Sequence, residues 1–194
     1  MRLFVALIPP PRLQACLAGV QASFAAIRAR AFRWVPRENL HLTLQFLGPI
    51  EDQRICFFEK AFASVAEKIA LFSLRVGGLG CFPTPLHPAI LWSGITSGKT
   101  ALEVLQRSVT LATTKLGVVP EARPFHGHLT LARLTQMNAR ERASVCSQVK
   151  LLQSLVLGDW KIEHLHLVMS NLSSSGARYE TIGSWRLQGG TRPP

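Results

Sequence analysis

The sequence predicts an α+β fold made of a duplicated unit, with two antiparallel or mixed sheets facing a central cleft and helices packed outside. Three observations predict it. The tetrapeptide His-Leu-Thr-Leu occurs twice, at His41–Leu44 and His128–Leu131. Each copy alternates polar and apolar residues, the period of a half-buried strand. The elements around the two copies recur in the same order: helix, His strand, helix, strand, strand. Strands that are wet on one face and packed on the other suit antiparallel pairing, with helices covering the packed face.

In chain order, residues 2–8 read as a strand that Pro9-Pro10-Pro11 ends. Leu13, Leu17, Val20, Phe24 and Ile27 make the stripe of an amphipathic helix. Arg28, Arg30, Arg33 and Arg37 cluster at its end and in the next loop, where the helix dipole already accounts for part of the positive charge. The first His strand follows, with Leu42, Leu44 and Phe46 as its inner face and Gly48-Pro49 as its stop. Ile55, Phe58, Phe62, Val65 and Ile69 stripe a second helix. Residues 72–76 and 89–92 read as strands, joined by a Gly- and Pro-rich loop from 77 to 88.

Ser97-Gly98-Lys99-Thr100 has the ending of a phosphate-binding P-loop, but the glycine that motif needs five positions earlier is Ser93. A turn that starts a helix, with stripe residues Leu102, Leu105, Val109, Ala112 and Leu116, is the better reading. Arg123-Pro124-Phe125-His126-Gly127 then leads into the second His strand. Asn138 and Glu141 form a capping box for a helix striped by Val145, Val149 and Leu152. Strands over 161–169 and 178–187 follow, with a turn at Ser173–Gly176 between them. The chain is thus read as a single domain, 1–194, with lobes built around the halves 1–96 and 97–188 and a frayed tail at 189–194.

The 194 residues suffice for a sizeable core. The 22 Lys and Arg against 11 Asp and Glu give a formal charge of +11, which favours an anionic partner, nucleic acid first. Cys16, Cys56, Cys81 and Cys146 lack metal-ligand spacing and suit a reducing, cytoplasmic setting. No apolar run reaches the length of a membrane span.

The chemistry lies in the repeated polar face. Residues i and i+2 of a strand are about 6.6 Å apart, so His41 with Thr43, and His128 with Thr130, each set an imidazole and a hydroxyl over one small volume. A duplicated scaffold needs only its apolar face repeated, yet here the exposed residues are repeated too. His126 joins His128 on one face if the strand begins that early. His164 and His166 form a second H-x-H pair, but with no carboxylate or thiol on their face they are read, like His87, as surface or structural residues rather than metal ligands.

The stretch Trp34 to Gly48 resembles the first motif of the RNA 2',3'-cyclic phosphodiesterases, also called 2'-5' RNA ligases, of the 2H phosphoesterase superfamily. Arg123-Pro124-Phe125 through His128-Leu129-Thr130-Leu131-Ala132-Arg133 resembles the second. Arg2–Ala6, Gly80–Pro83 with Leu91-Trp92, and Arg178-Tyr179-Glu180 with Trp185 extend the similarity along nearly the whole chain. One departure is Gly127, where the family often has proline; glycine loosens the entry to that strand.

The resemblance implies a bilobal fold, no cofactor, no metal, and hydrolysis of RNA 2',3'-cyclic phosphate ends to 2'-phosphates. Some members also join tRNA halves reversibly through a 2'-5' linkage. Carried over, His41 is the proton donor, His128 the proton acceptor, and Thr43, Thr130 and Arg133 bind the phosphate. By strict alternation Arg133 falls on the face opposite His128, so that role requires the strand to end or bulge before it. The expected partner is RNA with a cyclic phosphate end, the expected state a cytoplasmic monomer away from membranes. Two other readings stay open: a non-catalytic RNA-end or nucleotide binder, and a 2H phosphodiesterase acting on a small cyclic nucleotide or 2'-5' oligonucleotide.

Overall fold

The computed structural model describes residues 1–25, 27, 30–173 and 176–189. Arg28, the Ser174–Ser175 turn and the tail from 190 onward lie outside them. The strands are β1 (Arg2–Leu7), β2 (Phe32–Trp34), β3 (Leu42–Pro49), β4 (Phe72–Thr84), β5 (His87–Ser97), β6 (His128–Leu134), β7 (Val156–Ile162), β8 (His164–Ser173) and β9 (Gly176–Arg186). The helices are α1 (Pro11–Ser23), α2 (Ile55–Lys68), α3 (Lys99–Thr114) and α4 (Ala139–Leu151).

The mixed α/β architecture matches the expectation from sequence. Every strand pairing is antiparallel. The strand order β7-β4-β5-β6-β3-β1-β8-β9, with β2 beside β6, is one curled sheet. Its middle is thin: β3 and β6 share a single ladder pair, Leu42 with Leu129. Two four-stranded blocks therefore meet at a seam between the two His-Leu-Thr-Leu segments. The blocks are mirror-ordered about it, β6 answering β3, β5 answering β1, and β4 answering β8.

Strand pairing crosses between the sequence halves 1–96 and 97–188. β4 and β5, from the first half, pair with β7 and β6, while β8, from the second, pairs with β1 and carries β9 on its other edge. A hairpin from each half completes the other half's sheet, because a lone two-strand edge leaves too little apolar surface covered.

One large core lies between the sheet and the helices. It joins Leu13, Leu17 and Val20 of α1, Phe58 and Phe62 of α2, and Leu102, Leu105 and Val109 of α3 to Val5, Leu42, Leu44, Leu129 and Leu131 of the sheet. The predicted stripes are buried or pack half-buried against this core, and Asn138 and Glu141 form the predicted capping box. Gly98, with φ of 84°, starts α3 in the left-handed region that glycine favours, so the Gly-Lys-Thr stretch is a helix start.

Three local readings need correction. The loop expected over 77–88 is mostly β-hairpin, since β4 runs to Thr84 and β5 begins at His87. Its glycines are packing residues: a Cβ on Gly80 would lie 2.2 Å from the Trp92 ring, and one on Gly77 2.3 Å from the Leu155 carbonyl. The single strand expected at 161–169 is the end of β7 and most of β8. Phe46, expected on the inner face, is 55 % exposed, for the reason given below.

Candidate active site

His41 and His128 stand at the seam. The antiparallel register of the Leu42–Leu129 pair, carried one residue either way, sets His41 opposite Thr130 and Thr43 opposite His128. Leu42 and Leu129 are fully buried, whereas His41, Thr43, His128 and Thr130 are half-buried on the other, concave face. The alternation of each tetrapeptide thus becomes one site with an imidazole and a hydroxyl from each lobe.

The two imidazoles are held alike. His41 Nδ1 lies 2.7 Å from the Asn39 carbonyl oxygen, and His128 Nδ1 lies 2.7 Å from the His126 carbonyl oxygen. A carbonyl only accepts, so Nδ1 is the donor in both rings and Nε2 is left as the free nitrogen. The first clamp is itself anchored, because the buried Asn39 side chain donates from Nδ2 to the Ala177 carbonyl at 2.9 Å.

Aromatic rings wall both histidines. Phe4 and Tyr179 stand 4.8 and 5.1 Å from His41, centre to centre. Phe82 and Trp92 stand 5.1 and 6.3 Å from His128. His126 lies just before β6, yet its ring packs 4.9 Å from Trp92 and 6.2 Å from His128. These walls exclude water and so disfavour charged imidazole. Burial holds His41 below its ordinary pKa. The Asn39 hydrogen bond opposes the lowering, and the charges of His128 and Arg133 add to it. Burial likewise lowers His128, against its backbone hydrogen bond and with a smaller push from His126.

Arg133 reaches the same face because β6 bulges. Against β5, Thr130 pairs with Trp92 and Ala132 with Leu91, which leaves Leu131 as the extra residue. The inserted residue reverses the parity: Ala132 and Leu134 are buried and Arg133 is exposed. The first lobe repeats the device. Against β1, Thr43 pairs with Ala6 and Gln45 with Val5, leaving Leu44 as the extra residue. Phe46 therefore faces the cleft at the position matching Arg133, its ring 5.9 Å from Phe4. Arg133 is also close enough to His41 for its charge to lower that imidazole's pKa.

The remaining histidines separate. His87 and His164 are exposed. His166 is half-buried and pairs with Ala6, which in turn pairs with Thr43. It thus stands on the cleft floor two strands from Thr43, lining a cavity of about 160 Å³ with Ile8, Trp160, Glu163 and His164. Sequence reasoning missed that placement, since only the register of β8 against β1 reveals it. Among the described residues, no group of three or more His, Cys, Asp or Glu is set to hold a metal ion, and no helix is long and apolar enough to cross a membrane.

Known proteins resemble this chain in sequence and in fold. The profile of the LigT-like phosphoesterase family matches the chain twice, over residues 8–92 and 95–179. A protein named RNA 2',3'-cyclic phosphodiesterase from Aquifex aeolicus is 28% identical over 158 residues, covering 81% of this chain and 82% of its own. One of the same name from Geobacillus stearothermophilus is 35% identical over 158 residues, covering 80% of this chain and 48% of its own. A crystal structure of a Thermus thermophilus protein superposes with a TM-score of 0.82 at 26% identity, covering 97% of this chain and 99% of that one. With one match in each half, and each half carrying one histidine of the seam, the chain belongs to the LigT-like phosphoesterase family.

Proposed function

We propose that the protein hydrolyses RNA ending in a 2',3'-cyclic phosphate to a 2'-phosphomonoester, by acid/base catalysis between His41 and His128. The observation that carries this reading is the matched pair of Nδ1–carbonyl clamps, which leaves two Nε2 atoms on opposite sides of one seam. The names borne by the relatives support the substrate class.

In this mechanism His128 Nε2 takes a proton from water as its oxygen bonds to phosphorus. The bond from phosphorus to the ribose 3'-oxygen breaks, and that oxygen takes the proton from His41 Nε2. The ring opens and the phosphate stays on the 2'-oxygen. Thr43 and Thr130 donate their hydroxyl protons to the non-bridging oxygens, and Arg133 offsets the charge that builds there. Each positioned proton transfer is worth about 10²–10⁴ in rate. Run backwards with a ribose hydroxyl in place of water, the same steps give 2'-5' ligation, the reaction we assign to tRNA halves. All five groups come from one chain, which fits a monomer, and four free thiols fit a cytoplasmic setting.

The test is hydrolysis of a short RNA with a 2',3'-cyclic phosphate end, in excess EDTA, by wild type, His41→Ala and His128→Ala. A 2'-phosphate product, lost in both variants, supports the proposal. Binding without turnover by the folded wild type replaces it with an RNA-end binder. Turnover that EDTA abolishes rules out the two-histidine mechanism.

A further inference from the structure

β2 is three residues long, and its register brings two arginines together. Arg33 pairs directly with Arg133 across β2 and β6. Side chains of directly opposed residues leave the same face of a sheet. Arg133 faces the cleft, so Arg33 faces it too. The neighbours of Arg33 agree with that direction: Phe32 and Trp34 stack at 4.6 Å and pack on buried Phe24, on the helix side.

Like charges directly opposed on a sheet are destabilising. Among the described residues neither guanidinium has an ion-pair or hydrogen-bond partner, whereas the neighbouring Arg37 donates to the Pro11 carbonyl. The pair is also firmly placed. The carbonyl of Leu131, the bulge residue, accepts from the Val35 backbone N–H and from Gln21 Nε2, both at 2.9 Å. Gln21 Nε2 also donates to the Val35 carbonyl at 2.9 Å. One side chain of α1 thus ties β2 to the bulge that turns Arg133 into the cleft.

We infer that Arg33 is a specificity residue that binds the phosphodiester next to the reactive cyclic phosphate, so that the site selects oligonucleotide ends over cyclic mononucleotides. The inference rests on the proposed function. Arg133 stands three residues beyond Thr130, about 10 Å along an extended strand and less across the bulge. Arg33 lies beside it on the first-lobe side of β6. A phosphate between the histidines engages Thr130 and Arg133, and the next phosphate of the same strand falls to the second guanidinium. Guanidinium is well suited to that ligand because its planar fork bonds two phosphate oxygens at once.

The experiment compares adenosine 2',3'-cyclic phosphate, which has one phosphate, with the dinucleotide ApA ending in a 2',3'-cyclic phosphate, which has two. Wild type, Arg33→Ala and Arg33→Lys are assayed on both. Arg33→Ala is expected to lose about tenfold more kcat/KM on the dinucleotide than on the mononucleotide, mainly through KM. Its binding of the dinucleotide 2'-phosphate is expected to show a salt slope shallower by about one, while Arg33→Lys keeps that slope. Equal losses on the two substrates, or an unchanged salt slope, overturn the inference. If wild type hydrolyses neither substrate, the proposed function fails. The binding arm, with adenosine 2'-phosphate as the one-phosphate ligand, then still decides the role of Arg33.

Discussion

His41 donates its Nδ1 proton to the carbonyl oxygen of Asn39 at 2.7 Å, and Asn39 is held in turn by its own side chain on the Ala177 carbonyl. The chain therefore fixes the imidazole through a backbone group and fixes that group through β9, which lies two strands beyond β1. Asn39→Ala keeps the carbonyl but removes its anchor. A buried hydrogen-bonded group lost in this way costs about 1–3 kcal/mol, so the urea midpoint should fall. The turnover rate should fall about tenfold, against 10² or more for His41→Ala. An Asn39→Ala protein with wild-type stability and rate would show that the anchor is not needed.

The pH dependence of the reaction follows from the two lowered imidazoles. Burial lowers both His41 and His128, so both are neutral in the free protein at pH 7, where a general base is ready but a general acid is not. In the proposed mechanism the donor, His41, must be protonated. The alkaline limb of kcat/KM, which reports the free protein, should therefore lie below the ordinary histidine value of about 6.5. A bound phosphate favours imidazolium, so the corresponding limb of kcat should lie at higher pH. Paired pH profiles of the two parameters test this, and coincident alkaline limbs would contradict it.

The parts of this molecule that a strict period describes were legible in its sequence. Leu42 and Leu129 are buried where alternation puts them, His41 and His128 face away from them, and the helix stripes pack as their spacing predicts. What could not be read is the inserted residue. Leu44 and Leu131 look like any apolar strand position, yet each is the extra residue of a bulge. That insertion exposes Phe46 and turns Arg133 into the cleft, reversing the inward placement that alternation gives. Pairing partners were equally hidden. The register that puts Arg33 beside Arg133, and His166 two strands from Thr43, depends on contacts distant in sequence. The exchange of hairpins between the lobes leaves no local trace either.

Arg133 joins the two lobes electrically as well as spatially. Its charge lowers the pKa of His41, which lies across the seam in the other lobe. Arg133→Ala should thus raise the His41 pKa in the free protein, visible as an upward shift of its imidazole titration by NMR. The same variant should lose about 10²–10³ in kcat, the usual result of removing one donor aimed at developing charge. Arg133→Lys should restore the His41 titration but only part of the rate, because an ammonium lacks the two-pronged geometry. A rate loss with no movement of the His41 titration would separate the two roles.

His166 makes the stability of the fold sensitive to acid. Burial on the cleft floor, reinforced by the charge of His164, pushes its pKa down to about 4, whereas the unfolded chain gives histidine its ordinary value near 6.5. Between those two pH values the unfolded state binds more protons than the folded one, so lowering the pH favours unfolding. The neutral His166 contributes its full share above about pH 6.5. That share declines as the pH falls to about 4 and changes no further below that. His166→Gln removes the titrating group while keeping a polar side chain of similar reach. Urea midpoints at about pH 7, 5.5 and 4.5 should converge for this variant relative to wild type. A residual slope should persist, because His41 and His128 are lowered too and charge in the same direction. Identical slopes for the variant and wild type would mean that His166 charges in the folded cleft without penalty, relieved by Glu163 across the shared cavity.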